Sequence, residues 1–308
     1  MRNKFFLNSI LLILFSTINI PAISSEQFNF DVTEIIISEN GNKVNGYKKG
    51  RITTDNGIKI DADEFEYNKI LNILIAKGNV KLEDTLKAII IFADQVIYKK
   101  NIEKILLKGN SKATNKNLVI KADEFQYDKI LNILSAKSNV EIQDTIKNYS
   151  INSENINYEK NLEKIISKGN TTANFQSKYK LESSDIILLR DKSELSSEKK
   201  ANILSDDGTL YKFEKFKFFI NKNLLKANNV YINENSSLSP DETDHLYFSD
   251  GFFNINEKSY LAGKTYIKLK KNIFDNFEND PRLKGISSSS KNGITEINKG
   301  VFTSCKNN

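Results

Sequence analysis

Apolar side chains in this chain fall on alternate positions: Ile58, Ile60 and Ala62, then Phe65 and Tyr67, then Leu71, Ile73 and Ile75, then Val80 and Leu82. A period of two marks strands with one buried face, so the pattern predicts an all-β protein. The phase slips from even to odd at Asp63-Glu64, and without a bulge or corner there one apolar set would point to solvent. The same slip recurs between Ala93 and Val96, Ala122 and Phe125, Ser153 and Ile156, and Ser183 and Ile186, which predicts a repeated corner. Asn68-Lys69, Lys99-Lys100-Asn101, Asp128-Lys129 and Glu159-Lys160-Asn161 follow equivalent apolar positions and predict hairpin turns. A second set of turns is expected at Gly78-Asn79, Gly109-Asn110, Ser138-Asn139 and Gly169-Asn170, where Gly and Asn tolerate positive φ.

The alternation is itself repeated. Residues 62–85 match residues 122–145 at 17 of 24 positions, and 93–111 match 153–171 at 9 of 19, both at an offset of 60. Ala62, Ala93, Ala122 and Ser153 head the same pattern at steps of 31, 29 and 31, so the unit is about 30 residues, with fainter copies near Ser183 and Glu214. No such unit buries its apolar face alone, so neighbours must stack into a rolled, jellyroll-like pile of β-hairpins. A roll of this kind has open edges at both ends, and an exposed strand edge is either protected or used to pair with another chain.

The chain of 308 residues is 39% hydrophobic and 27% charged, which suits a packed β protein rather than a disordered one. It holds one His (His245), one Cys (Cys305) and one Met (Met1), so neither a Ser/His/Asp triad, a Cys/His dyad nor a zinc site finds its usual material; no enzyme, metal or cofactor is expected. Asp63-Glu64 and Asp123-Glu124 sit at the phase slip and are expected to be solvated corners, since adjacent carboxylates on a strand face opposite ways. His245 follows the polar stretch 240–244 and is expected in an exposed loop. The lysines alternate with Glu and Asp without a stacking platform, which argues against nucleic acid; a solvated face, with edge lysines guarding against aggregation, is expected.

Residues 1–25 have a basic start (Arg2, Lys4), an apolar stretch from Phe5 to Phe15, Pro21 and the small-flanked run Ala22-Ile23-Ser24-Ser25. That order predicts a secretory signal peptide cleaved near Ser24 or Ser25; an uncleaved anchor is the alternative, because Phe5 to Ser25 is 21 residues without a charge. An exported chain with an odd cysteine suggests pairing of Cys305 with a partner outside this chain.

The motif A-D-x-F-x-Y followed by K-I-L-x-A-x-G-N-V resembles the repeat of OstA-like domains in lipopolysaccharide (LPS) transport and assembly proteins, over residues 26 to about 270. The family includes periplasmic bridge proteins of the LptA type and the N-terminal domain of the outer-membrane assembly protein, LptD. Residues 279–305, ending in Thr303-Ser304-Cys305, resemble the LptD-type segment that joins the roll to the membrane barrel. The resemblance implies that Cys305 forms a disulfide with the barrel region, and that 271–308 is a linker towards a C-terminal outer-membrane barrel missing from this sequence; within it, Pro281, Ser287 to Ser290 and Gly293 predict that 280–300 is flexible. It also implies a second cysteine near the mature N-terminus, which residues 26–60 lack.

The implied function is passage of LPS. One acyl chain of a dozen carbons left in water costs on the order of 10 kcal/mol, so crossing the periplasm needs a covered apolar path. The apolar face expected to supply it is Ile60, Phe65, Tyr67, Ile73, Ile91, Tyr98, Ile105, Ile120, Phe125, Tyr127 and Ile133. The implied partners are LPS, a periplasmic OstA-like bridge protein by edge-strand pairing, and the outer-membrane barrel with its lipoprotein plug. The expected location is the periplasm, in association with the outer membrane. Two alternatives stand: a free-standing periplasmic bridge, and a structural β-repeat scaffold whose apolar residues pack as a closed core.

Overall fold

A computed structural model describes residues 28–274 and 278–305, so the expected signal peptide at 1–25 lies outside the described residues. The chain opens with β1 (Asn29–Ser38), β2 (Lys43–Thr53), β3 (Ile58–Ala62) and β4 (Glu64–Asn68). Seven long strands follow: β5 (Ile73–Asp84), β6 (Ile89–Lys99), β7 (Lys104–Asn115), β8 (Leu118–Asp128), β9 (Ile133–Asp144), β10 (Tyr149–Glu159) and β11 (Lys164–Phe175). The next group is β12 (Tyr179–Ser184), β13 (Ile187–Leu189), β14 (Glu194–Ser197), β15 (Ala201–Ser205), β16 (Leu210–Phe219), β17 (Leu224–Asn233) and β18 (His245–Asn254). The last is β19 (Ser259–Ala262), β20 (Thr265–Lys268), β21 (Arg282–Gly285), β22 (Ser287–Lys291), β23 (Ile294–Asn298) and β24 (Val301–Thr303). All pairings are antiparallel and join one sheet, the all-β hairpin stack that the alternation predicts.

Each long strand is bent at its middle, and the bend folds the sheet in half. β5 places Gly78 and Asn79 opposite the single Asp94 of β6, where the register jumps from Lys77↔Gln95 to Val80↔Ala93. β6 changes phase there, from Ile89, Ile91 and Ala93 inward to Val96 and Tyr98 inward, so both halves present apolar side chains to one interior. Gly78 (φ 75°) and Asn79 (φ 48°) take the left-handed conformation that turns the strand. The Asn79 amide donates to Asp63 at 2.7 Å, as Asn110 does to Asp94 at 2.9 Å and Asn139 to Asp123 at 2.8 Å. The acids at the phase slip therefore clasp the corner.

The pairs expected as a second set of turns, Gly78-Asn79 and its three equivalents, are instead these mid-strand bulges. Their positive φ is as expected for the glycines and for Asn79, Asn110, Ser138 and Asn139, yet the chain continues as strand because both neighbours keep their ladder bonds. The second hairpin turns lie between β5 and β6, β7 and β8, and β9 and β10.

The repeat also runs further than its apolar signal. Where residues 271–308 are expected as a linker, β21 and β22 pair with β20 and β19, and β23 and β24 pair with β22 and β21. This rung is lined by Ser288, whose hydroxyl lies 2.7 Å from that of Thr265, together with half-buried Leu283 and Ile297. A serine-rich inner face leaves no hydrophobic alternation to read.

Candidate functional site: an apolar interior and its polar seam

Nine of the eleven residues expected on the apolar face line one continuous interior: Ile60, Phe65, Tyr67, Ile91, Tyr98, Ile105, Ile120, Phe125 and Tyr127 are all buried in the same core. Ile73 and Ile133 are not among them. Each is half-buried on the outer face, because the antiparallel register sets Tyr67 opposite Leu74 and Tyr127 opposite Leu134, and inward residues face inward residues. Leu74, Ala76, Leu134 and Ala136 take the interior places. The turn after Tyr67, with Asn72 at φ 53°, resets the phase in a way the alternation alone does not show.

Side chains from the two half-sheets meet in this interior. Phe28 packs edge-on against Tyr67 (centroids 4.8 Å) at the N-terminal end. Phe175 contacts Phe218 (4.8 Å) midway, and Phe248 contacts Tyr260 (4.9 Å) near the C-terminal end. The interior is closely packed; the space among Tyr149, Ile151, Phe175, Leu188 and Leu195 leaves no room for water.

The half-sheets join at the row of bulges on one side, but on the other their hairpin turns only touch, through polar groups. Asn56 donates to Glu103 at 3.2 Å, and Lys160 Nζ donates to the Lys87 carbonyl. Gln176 donates to the Ile220 carbonyl at 3.1 Å, and Lys258 pairs with Asp207 at 2.7 Å. These contacts form a seam along the roll. Its centre is Arg190, on the turn between β13 and β14: Nη2 lies 2.9 Å from Asp144, Nε donates to the Tyr149 hydroxyl and Nη1 to the Tyr158 hydroxyl at 3.1 Å each, and Nη1 also meets Glu163. Lys147 Nζ in turn donates to the Arg190 carbonyl.

The electrostatics follow from this crowding. Burial by itself would raise the Asp144 carboxyl, but the Lys147 amide and the Arg190 guanidinium outweigh it and hold the group below the usual carboxylate range. Burial pushes the Tyr149 hydroxyl up to about 12. At Asp207, Lys258, Ser205 and Thr209 likewise overcome burial and keep the carboxyl low. The seam is thus a chain of charged and hydrogen-bonded latches over an apolar interior.

The sequence reading missed the seam, although a signal for it exists. Four interior tyrosines at equivalent places in the repeat reach an acceptor five residues on: Tyr67 to Asn72 (2.8 Å), Tyr98 to Glu103 (2.7 Å), Tyr127 to Asn132 (3.3 Å) and Tyr158 to Glu163 (3.2 Å). That spacing recurs with the repeat. His245 is also placed differently from expectation: it is buried at the start of β18, where Nε2 donates to the Pro240 carbonyl and Nδ1 accepts from the Tyr231 hydroxyl, both at 2.8 Å. The lone Cys305 carries an exposed thiol beyond β24, and its carbonyl accepts from Arg282 at 3.0 Å.

At the N-terminal edge, β1 pairs with β2 alone among the described residues and exposes Ile35, Ile36 and Ile37. At the other end the outermost rung is β23 and β24, with Ile294 and Val301 exposed.

No protein-family model matches the sequence, and no curated protein matches it. Among solved structures the chain is similar to LptH, described as the LptA homologous periplasmic component of the conserved lipopolysaccharide transport device from Pseudomonas aeruginosa. That likeness has a TM-score of 0.36 and 9% identity, covering 38% of this chain and 94% of that chain.

Proposed function

We propose that this β-roll carries LPS through the periplasm, with acyl chains in its interior and saccharide outside. The observation that carries the reading is an unbroken apolar interior from Phe28 to Ile267 that, among the described residues, is closed along one side by side-chain latches. A β-scaffold needs a core but has no use for a seam that can part without breaking a ladder bond. Separating the turns at Arg190 and at Asp207–Lys258 exposes an apolar trough while every strand keeps its partners. Acyl chains then replace the packing that the half-sheets lose, each methylene regaining about 0.8 kcal/mol relative to water.

In this reading the β1 edge, with Ile35 to Ile37, accepts a strand from a second OstA-like roll. The opposite end, where Ser304 and Cys305 follow β24, adjoins the outer-membrane barrel and its lipoprotein plug, with Cys305 in a disulfide to a partner outside this chain. A free-standing bridge would use the same interior and edges without that bond.

Photo-crosslinking residues at Phe65 and Tyr127, which point inward, should capture LPS in cells, and the same residues at Ile73 and Ile133 should not. Folded protein that yields no LPS adduct at either inward position refutes the carrier reading in favour of a closed scaffold.

A further inference from the structure

Five strands at the C-terminal end carry a row of outward side chains that the transport reading does not use. Successive ladder partners run Lys212 on β16, Tyr231 on β17, Tyr247 on β18, Tyr266 on β20 and Lys284 on β21, each directly opposite the next. The tyrosine rings follow one another at 5.0 and 5.7 Å between centroids. Lys212 lies over Tyr231 at 5.9 Å and Lys284 over Tyr266 at 5.6 Å, so the aromatic row ends in a cation on each side. Four inter-strand steps make it about 19 Å long, parallel to the roll axis.

The composition of the row is unlike that of the five positions that precede it on the same line. Traced toward the N-terminus through the ladder, it reads Asn202, Glu182, Thr172, Asn152 and Glu141, the polar outer face of an ordinary half-solvated sheet. Three consecutive tyrosines there are not needed for the core, whose apolar residues beside them in sequence are Val230, Ile232, Leu246, Phe248 and Ile267. Tyr247, at the centre, is 42% exposed. The platform is held in place rather than free to rotate: His245 stacks on Tyr231 at 19° between planes, and its Nδ1 accepts the Tyr231 hydroxyl proton. The sequence offered no stacking platform because its members come from three strands and meet only in the ladder.

We infer that this tyrosine row is a binding site for an acidic oligosaccharide. Flat aromatic faces stack against the C–H faces of sugar rings, and tyrosine hydroxyls at the rim suit sugar hydroxyls. Lysines at both ends match phosphate or carboxylate substituents, whereas a neutral glycan would leave them without a purpose. The row lies two residues from the end of β17, beside the turns that form the seam. The inference deepens the transport reading and rests on it for the source of the sugar: saccharide attached to acyl chains inside the roll emerges at this lip.

The test uses the purified mature protein and the saccharide portion of LPS stripped of its acyl chains, with a neutral glucan oligosaccharide as comparison and tyrosine ring signals in NMR as readout. The acidic saccharide is expected to shift the Tyr231, Tyr247 and Tyr266 signals and the neutral glucan to bind at least tenfold more weakly. Tyr247→Ala should lower the affinity at least tenfold, and Lys212→Gln with Lys284→Gln should abolish the preference for the acidic saccharide, both with unchanged circular dichroism. Tyr247→Leu, which retains apolar cover, should bind as weakly as Tyr247→Ala. Unchanged binding in these variants, equal binding of the neutral glucan, or binding of anionic lipid vesicles in place of the saccharide overturns the inference. Saccharide binding that persists where Phe65 and Tyr127 capture no lipid would sink the transport reading and leave the glycan site standing.

Discussion

Replacing Arg190 by Met tests whether the seam is a latch. The guanidinium sits among Asp144, Tyr149, Tyr158 and Glu163, and Asp144 is only 1% exposed. Removing one partner of a buried ion pair strands the other, at a cost of about 3–5 kcal/mol. The loss should be local, so the measurement is native-state hydrogen exchange at the Arg190 amide, which donates to the Glu163 carbonyl across neighbouring turns. Its opening free energy should fall by about that amount at pH 7, while amides of β5 and β6 stay protected. The pH dependence has a definite sign. The Asp144 carboxyl is depressed in the folded state, so its contribution is present above the unfolded value of about 4 and is lost as pH falls through the folded one. In Arg190→Met that carboxyl loses its cation and titrates higher, so the deficit relative to the unsubstituted protein should be largest at neutral pH and shrink below about pH 4. Adding Asp144→Leu should restore at least half of the loss, because an apolar pair carries no buried charge. A deficit under about 1 kcal/mol at pH 7, or a double variant as weak as the single one, would refute the latch.

Other perturbations test the register, the corner and the thiol. Leu74→Ala should cost about 2–5 kcal/mol in urea unfolding, and Ile73→Ala, one residue away on the outer face, should cost under about 1 kcal/mol; equal losses would mean that the inward phase is misassigned. Gly78→Ala, at φ 75° and with its new Cβ only 2.5 Å from Asp63 Oδ2, should cost about 1–3 kcal/mol, and Asp63→Ala should relieve part of it; an additive pair would count against the corner clasp. Under non-reducing electrophoresis of whole cells, Cys305 should place the protein in a larger disulfide-linked species that Cys305→Ser abolishes; identical migration of both forms would rule out the external partner.

The chain's own letters determine the hairpin stack. Alternation marks the strands, and the offset of 60 residues marks the repeat. A phase slip held at an acidic residue requires a bend that keeps both halves of a strand facing one core. These are local regularities, each legible within a few residues because strand periodicity is a property of the backbone. The bend's partner was not legible: Gly78-Asn79 carries turn chemistry, and only the ladder on both sides shows that the strand runs through it. The inward phase of Leu74 and Leu134 depends on cross-strand pairing with Tyr67 and Tyr127, which a short turn resets. The rung at 282–303 belongs to the roll through a serine-lined face that has no hydrophobic period. The seam and the tyrosine row lie furthest from the sequence. Arg190 reaches Asp144 across 46 positions, and Tyr231, Tyr247 and Tyr266 become neighbours only once three strands are in register. Contacts of that range are decided by closure of the whole sheet, since no local preference aims one turn at another.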